Sequence, residues 1–311
     1  MRAEERLLAQ RRSVSATAGY LRTSELAGDL QPEAWGVTVN RLVRLFLAMT
    51  GWAAAGVVTQ PNALEIVQKS VQQVEANWSQ APSFAYIERD VRSKRDSEAL
   101  TKSYQVLMID GSPYRRLVSL SDKPLNSGDQ ADEGQKMQME IERRQHESER
   151  ERNKRIAKYV KDRARDLAMI RAMSNAFQFH LAGAETVDGH DCWVLDVSPK
   201  PGYNPKDREG RVLTGMTGRL WIDKDQNQWV KAQAEVIKPV SFYGFVARVE
   251  PGTRFLLEQR PVSTSLWLPA HFSVKVNASA FGFLNEDSQE DETYRDYKPM
   301  PLVLPTLQAS K

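Results

Sequence analysis

After Asn175 the sequence alternates short strand-like runs with turn signals almost to its end, and this spacing narrows the possible folds more than any other feature. The runs are 177–183, 190–197, 217–223, 228–238, 242–250, 253–260 and 267–281, with a short last one at 292–298. Asp188-Gly189, Pro201-Gly202, Asp225-Gln226-Asn227 and Pro251-Gly252 punctuate them. Connections this short join neighbouring strands as an antiparallel meander. Within 272–280, Phe272, Val274, Val276, Ala278 and Ala280 point one way, and Ser273, Lys275, Asn277 and Ser279 the other. One face of the sheet is therefore apolar and the other wet.

Helices precede and interrupt the strands. Asn62 followed by Glu65 reads as a helix cap, and Leu64, Val67, Val71, Val74 and Trp78 recur at spacings of three and four. The spacing predicts an amphipathic helix over 64–78 that ends at Ala81-Pro82. Strands are expected at 84–91, 103–109 and 114–120, with Asp110-Gly111 as a hairpin turn. Between Asp132 and Asp166, 20 of 35 residues are charged, eleven basic and nine acidic. Mixed signs at close spacing suit an exposed helix with i,i+4 pairs, so this stretch reads as a polar helical arm. It leads into a helix whose stripe is Ile156, Val160, Ala164, Leu167, Ile170 and Met173. The charged helical insertion runs over 130–173. The expected class is α+β, mainly β, with the helices at 64–78 and 156–173 closing one side of the sheet.

Composition excludes several functions. The 311 residues carry 43 basic and 40 acidic side chains, a net charge of +3, which gives no electrostatic footprint for nucleic acid. One cysteine rules out a disulfide scaffold and multi-cysteine metal sites. The four histidines, His146, His180, His190 and His271, form no H-E-x-x-H or comparable pair.

Residues 45–58 form a 14-residue run without charge, preceded by Arg41 and Arg44. A basic region, a short apolar segment and small residues beyond it are the marks of a secretory signal peptide. The run is shorter than the roughly 20 apolar residues of a membrane span. Residues 37–63 are read as the signal peptide, with cleavage after Ala55, Gly56 or Ala63, and the protein is expected in the periplasm. Residues 1–36 are read as a start placed too early, with Val37 or Val39 as the alternative, or as a disordered extension. Residues 64–311 then form a single domain.

No catalytic motif emerges. Asp223, Asp225 and Asn227 imitate a calcium loop, but Gln228 stands where its glycine is needed and Ala234 where its glutamate is needed. A hairpin turn is the reading there. There is no G-x-S-x-G elbow and no glycine-rich phosphate loop. Cys192 lies in an apolar strand and reads as an inert buried thiol. The acidic run Glu286, Asp287, Glu290, Asp291 and Glu292 reads as a solvated loop. The chain is expected to be no enzyme and to use no cofactor and no metal.

What remains is apolar content on strands: Trp193, Leu195, Leu220, Ile222, Phe255, Leu257, Phe272, Val274 and Val276. These nine either fill an ordinary core or wall a cavity for acyl chains, and the same alternation serves both.

The strings WSQAPSFAYIERDV, AFQFHLAGAETVDGHDCWVLDVSPKPGYNP, GRLWIDKDQNQWVKAQAEVI and FLLEQRPVSTSLWLP, in this order of elements, resemble the LolA-like superfamily of periplasmic lipoprotein and lipid carriers, in particular its outer-membrane lipoprotein-sorting-like members. The resemblance covers about 64–299. It implies an incomplete antiparallel β-barrel around a helical lid, with a hydrophobic cavity for acyl chains. The function it implies is non-enzymatic binding of a lipid or lipoprotein acyl chain by a monomer. The alternative is an envelope structural or regulatory module of the same fold that acts through a protein partner.

Overall fold

The computed structural model describes residues 61–94, 98–205, 208–242, 247–276, 278–280, 284–285 and 288–300. The expected segment 1–36, and 37–63 as far as residue 60, lie outside them.

Helix α1 (Ala63–Gln80) starts where its cap predicts: the Asn62 side chain accepts a hydrogen bond from Leu64 N at 2.9 Å. A short 3-10 turn at Ala81–Ser83, with Pro82 inside it, ends the helix. The chain then forms β1 (Phe84–Lys94), β2 (Leu100–Ile109), β3 (Ser112–Leu120) and β4 (Lys123–Pro124). Helices α2 (Ser127–Gln145) and α3 (Glu149–Ala176) follow, then β5 (Phe177–Val187) and β6 (His190–Pro199). After the short α4 (Arg208–Leu213) come β7 (Met216–Asp223), β8 (Trp229–Val236), β9 (Val240–Phe242), β10 (Ala247–Val249) and β11 (Arg254–Pro261). The last strands are β12 (Trp267–Val276), β13 (Ala278–Ala280), β14 (Leu284–Asn285) and β15 (Ser288–Pro299).

Eleven strands form one antiparallel sheet in the order β4-β3-β2-β1-β15-β12-β11-β8-β7-β6-β5. The order is a meander from β5 to β15 joined to a second from β1 to β4. The sheet is open, with β4 at one edge and β5 at the other. Type I′ turns form at both Asp-Gly pairs: φ is 44° and 83° at Asp110-Gly111, and 49° and 83° at Asp188-Gly189. The Asp223 side chain accepts from the backbone N–H groups of Asp225 (3.1 Å) and Gln226 (2.6 Å), so the calcium-like string is an Asx turn between β7 and β8.

Three expectations need correction. The run 242–250 is two short strands, β9 and β10, which pair with each other, and β10 also pairs with β13. The run 267–281 divides between the sheets: β12 stays in the large sheet, while β13 and β14 join β9 and β10 in a four-stranded one. The acidic run is no solvated loop at its C-terminal end. Glu290, Asp291 and Glu292 belong to β15, which hydrogen-bonds to β1 on one side and β12 on the other. A strand paired on both sides must turn every second residue inward whatever its polarity.

The two edge strands β4 and β5 are joined by α2 and α3, and this connection explains why a long helix interrupts a β protein. Ten strand spacings of about 4.8 Å put the edges roughly 48 Å apart along the sheet. The 28 residues of α3 span about 42 Å at 1.5 Å per residue. The two helices break at His146-Glu147-Ser148, where Ser148 and Glu151 form a reciprocal capping box. Both grip the β2–β3 turn. Arg144, buried, donates from Nη1 to Ile109 O (2.6 Å) and Ser112 O (2.8 Å), and Arg155 from Nη1 to Asp110 O (3.0 Å).

The main core lies between the helices and one face of the sheet. Ile66, Val67, Val71, Val74 and Trp78 of α1 pack there with Ile170 and Ala176 of α3. This meets the expectation that the helices at 64–78 and 156–173 cover one side. Buried polar bonds also pin α1: Asn77 Nδ2 donates to Gln228 Oε1 (2.7 Å), and Trp229 Nε1 donates to Ser70 Oγ (2.9 Å). Helix α3 is seated differently. Its remaining inward apolar residues, Leu167, Met169, Ala172 and Met173, are only partly buried.

Candidate functional site

The helix-covered face has two halves of opposite character. The apolar half spans β6, β7, β8, β11 and β12. Register places Leu195 opposite Leu220, Trp193 opposite Ile222, Phe255 opposite Val274 and Leu257 opposite Phe272. Ala232 and Ala234 of β8 lie between these pairs, opposite Leu220, Leu257 and Phe255. Leu195, Leu220, Ile222, Phe255, Leu257, Phe272 and Val274 are buried in one cluster, and Trp193 packs against it partly buried. Leu195, Ile222 and Val274 have no exposed surface at all. The structure therefore brings eight of the nine sequence candidates together beneath the helices. Val276 ends β12 opposite Ser288, and its side chain lies outside the described residues.

The face does not stay apolar beyond β12. Phe272 is opposite Glu292 and Val274 opposite Glu290 on β15. Across β15, Glu292 is opposite Asp90, Tyr294 opposite Glu88, and Glu290 opposite Arg92 on β1. Glu88, Asp90 and Glu292 are 1%, 5% and 1% exposed. Two arginines answer them. Arg92 Nη2 lies 2.9 Å from Asp90 Oδ2 and 2.6 Å from Glu290 Oε1. Arg115 pairs with Glu88, lies 3.6 Å from Asp90 Oδ2, and stacks over the Tyr104 ring at 4.0 Å. Tyr294 donates its hydroxyl hydrogen to Glu292 Oε2, and its ring meets Tyr86 edge-on at 5.9 Å. Burial first, and then the neighbouring Glu88 and Glu290 carboxylates, push the Glu292 carboxyl up to about 8. Burial raises the Tyr86 hydroxyl as well. Helix α3 runs from the Arg155 contact at the β2–β3 turn to β5 at the far edge, and so passes over β1 and β15.

Reading from sequence overlooked this half of the face. Its trace is the two-residue period of Tyr86, Glu88, Asp90 and Arg92 in β1 and of Glu290, Glu292 and Tyr294 in β15. Such alternation of polar residues looks like a wet face until both neighbours and the helical cover are known.

On the opposite face Cys192, Val194, Trp221, Val230 and Trp267 form a smaller buried cluster. Burial and the nearby Asp223 push the Cys192 thiol up to about 11, the wrong direction for a nucleophile. His190 Nδ1 lies 3.4 Å from Asp223 Oδ2, and its ring meets Trp267 at 4.6 Å. His271 sits between Asp291 (2.9 Å) and Glu258 (3.3 Å). Lys231 pairs with Glu258, and Arg89 acts on Asp291. The Asp291 hydrogen bond, followed by the Asp291 charge and by Glu258, raises the His271 pKa above its ordinary value against the opposing effect of burial. A raised folded pKa contributes stability that is complete below the unfolded value and disappears as pH rises through the folded one. His271→Gln is therefore expected to lose about 1 kcal/mol below pH 6 and less above pH 8. Urea melts at both pH values check it, and equal losses at the two would show that His271 is not charged between its partners.

The strand order and the helix-covered face define an α+β protein built on an open, curved antiparallel sheet with a helical cover. No protein family profile matches the chain, and no curated protein is similar to it. Among solved structures it is similar to the LolA superfamily protein NE2245 from Nitrosomonas europaea, at 13% identity and a TM-score of 0.33, over 78% of this chain and 96% of that one. It is also similar to a DUF1329 family protein from Desulfovibrio piger, at 12% identity and a TM-score of 0.32, over 80% of this chain and 96% of that one. A third is an outer membrane lipoprotein-sorting protein domain from Vibrio parahaemolyticus, at 9% identity and a TM-score of 0.32, over 75% and 93% of the two chains.

Proposed function

We propose that the protein binds an acyl chain of a lipid or lipoprotein between the apolar half of the sheet face and helix α3, without catalysing a reaction. The observation that carries this reading is the asymmetry of the cover. Helix α1 is fixed to the sheet by buried hydrogen bonds, whereas α3 buries Ile170 and Ala176 and meets the rest of the face through the partly buried Leu167, Met169, Ala172 and Met173. Methionine repacks easily around a changing neighbour. A chain that slides under α3 gains roughly 0.8 kcal/mol for each methylene it buries, so ten methylenes supply about 8 kcal/mol before ordering costs. The compartment assigned is the periplasm, from the reading of residues 37–63. No helix among the described residues is long and apolar enough to cross a membrane.

The test is titration of the purified protein with cis-parinaric acid, alongside Trp193→Ala. Trp193 is the least covered of the described wall residues, so its loss disturbs packing least. The parent is expected to bind saturably, and Trp193→Ala about tenfold more weakly, with melting temperature followed in parallel. A parent that binds no fatty acid ends the acyl-chain reading.

The second reading, an envelope structural or regulatory module acting through a protein partner, is favoured by α2. Of its nineteen residues only Arg144 is buried, and Met139 is 52% exposed. A helix so little used by its own fold is the natural surface for a partner.

A further inference from the structure

We propose that Glu88, Asp90 and Glu292 form a binding site for one divalent cation, of the size and hardness of Ca²⁺, on the covered face of the sheet between β1 and β15. One oxygen from each carboxylate lies within 4.8 Å of the other two. Calcium–oxygen distances of about 2.3–2.6 Å place ligands on opposite sides of the ion at nearly that separation. The donor set is oxygen only, which selects a hard cation over zinc or copper.

A second observation is independent of the clustering. Glu292 is almost wholly buried, and its Oε1 atom has no hydrogen-bond partner among the described residues. Its other oxygen accepts the Tyr294 hydroxyl, so Oε1 is the atom left for a ligand. A buried carboxylate oxygen without a donor is costly unless a cation completes it.

Among the described residues Glu290 adjoins the three, and Arg92 and Arg115 pair with members of the cluster. The route in lies past Arg92, whose side chain is 43% exposed while it holds Asp90 and Glu290.

The surrounding tyrosines provide the readout. Tyr86 and Tyr294 meet ring to ring beside Glu292, and Tyr104 lies under Arg115. A terbium ion in this site is sensitised by excitation of these rings. Full-length protein stripped with chelator is titrated with Tb³⁺ and then with Ca²⁺ as competitor, and its melting temperature is read with and without Ca²⁺. The expected result is saturable, sensitised emission at one ion per chain, displaced by Ca²⁺, with a Ca²⁺-dependent rise in melting temperature. Glu292→Gln should weaken the competition at least tenfold, and Asp132→Asn, on the exposed arm, should leave it unchanged. If Glu292→Gln does not fold, Asp90→Asn takes its place with the same expectation. Absence of sensitised emission and of any calcium-dependent melting shift in the parent overturns the proposal and leaves the cluster holding a proton instead. Equal affinity in the parent and in a folded Glu292→Gln overturns it too, and assigns the ion to the surface.

Discussion

Gly218→Ala is expected to melt far below the parent, by roughly 6–12 °C. A Cβ placed on Gly218 would stand 2.1 Å from the carbonyl oxygen of Gln233 and 3.1 Å from the Cα of Ala234. Both are backbone atoms of β8, so no side-chain rotation relieves the overlap. The β7–β8 ladder must shift, and with it the Leu220–Ala232 pairing on the apolar half of the face. Overpacking against backbone costs about 3 kcal/mol or more, and each kcal/mol moves the melting point about 2–4 °C at this size. Gly134 supplies the contrast. It lies in α2, and a Cβ there would meet only Arg116 Nη2, at 3.9 Å. Gly134→Ala should therefore be neutral or stabilise by up to about 1 kcal/mol. Calorimetry on the two variants side by side decides the matter. Similar melting points would mean that β7 and β8 can separate at no great cost.

Phe272→Ala is expected to lose about 3–5 kcal/mol, the range for deleting a buried aromatic ring from a packed core. Phe272 is 1% exposed and stands at the seam of the two halves, with Leu257 on one side and Glu292 on the other. Its removal leaves a void beside a carboxylate, and water drawn into that void would reach Glu292. Urea denaturation measures the loss as a lower midpoint at unchanged slope. A loss under 1 kcal/mol would show that the apolar half is loosely filled.

The elements that could be read from the sequence were those specified locally. The Asn62 cap, the two Asp-Gly turns and the alternation of Phe272 and Val274 are each set by neighbours within a few residues, and each appears where expected. The clustering of eight of the nine apolar candidates was equally legible, because they alternate with polar residues along single strands. The charged half was not. Whether Glu292 is wet or buried depends on β1, which pairs with it from about 200 residues away, and on α3 above it. The split of 267–281 between two sheets was hidden for the same reason: Val276 and Ala278 are neighbours in sequence, and only their partners, Ser288 and Val249, assign them to different sheets.

The position of β15 also sets an order of assembly. Before residues 288–299 have been synthesised, the large sheet can exist only as two pieces, β1–β4 and β5–β12, each with a bare inner edge. Unpaired edges of this kind invite pairing with other chains, and contacts this distant in sequence form slowly. The N-terminal piece presents Glu88, Asp90 and Arg92 along that edge strand. Charges on the waiting strand discourage wrong partners until β15 arrives with Glu290 and Glu292. The same side chains that complicate the finished interior would thus protect the chain while it is still being made.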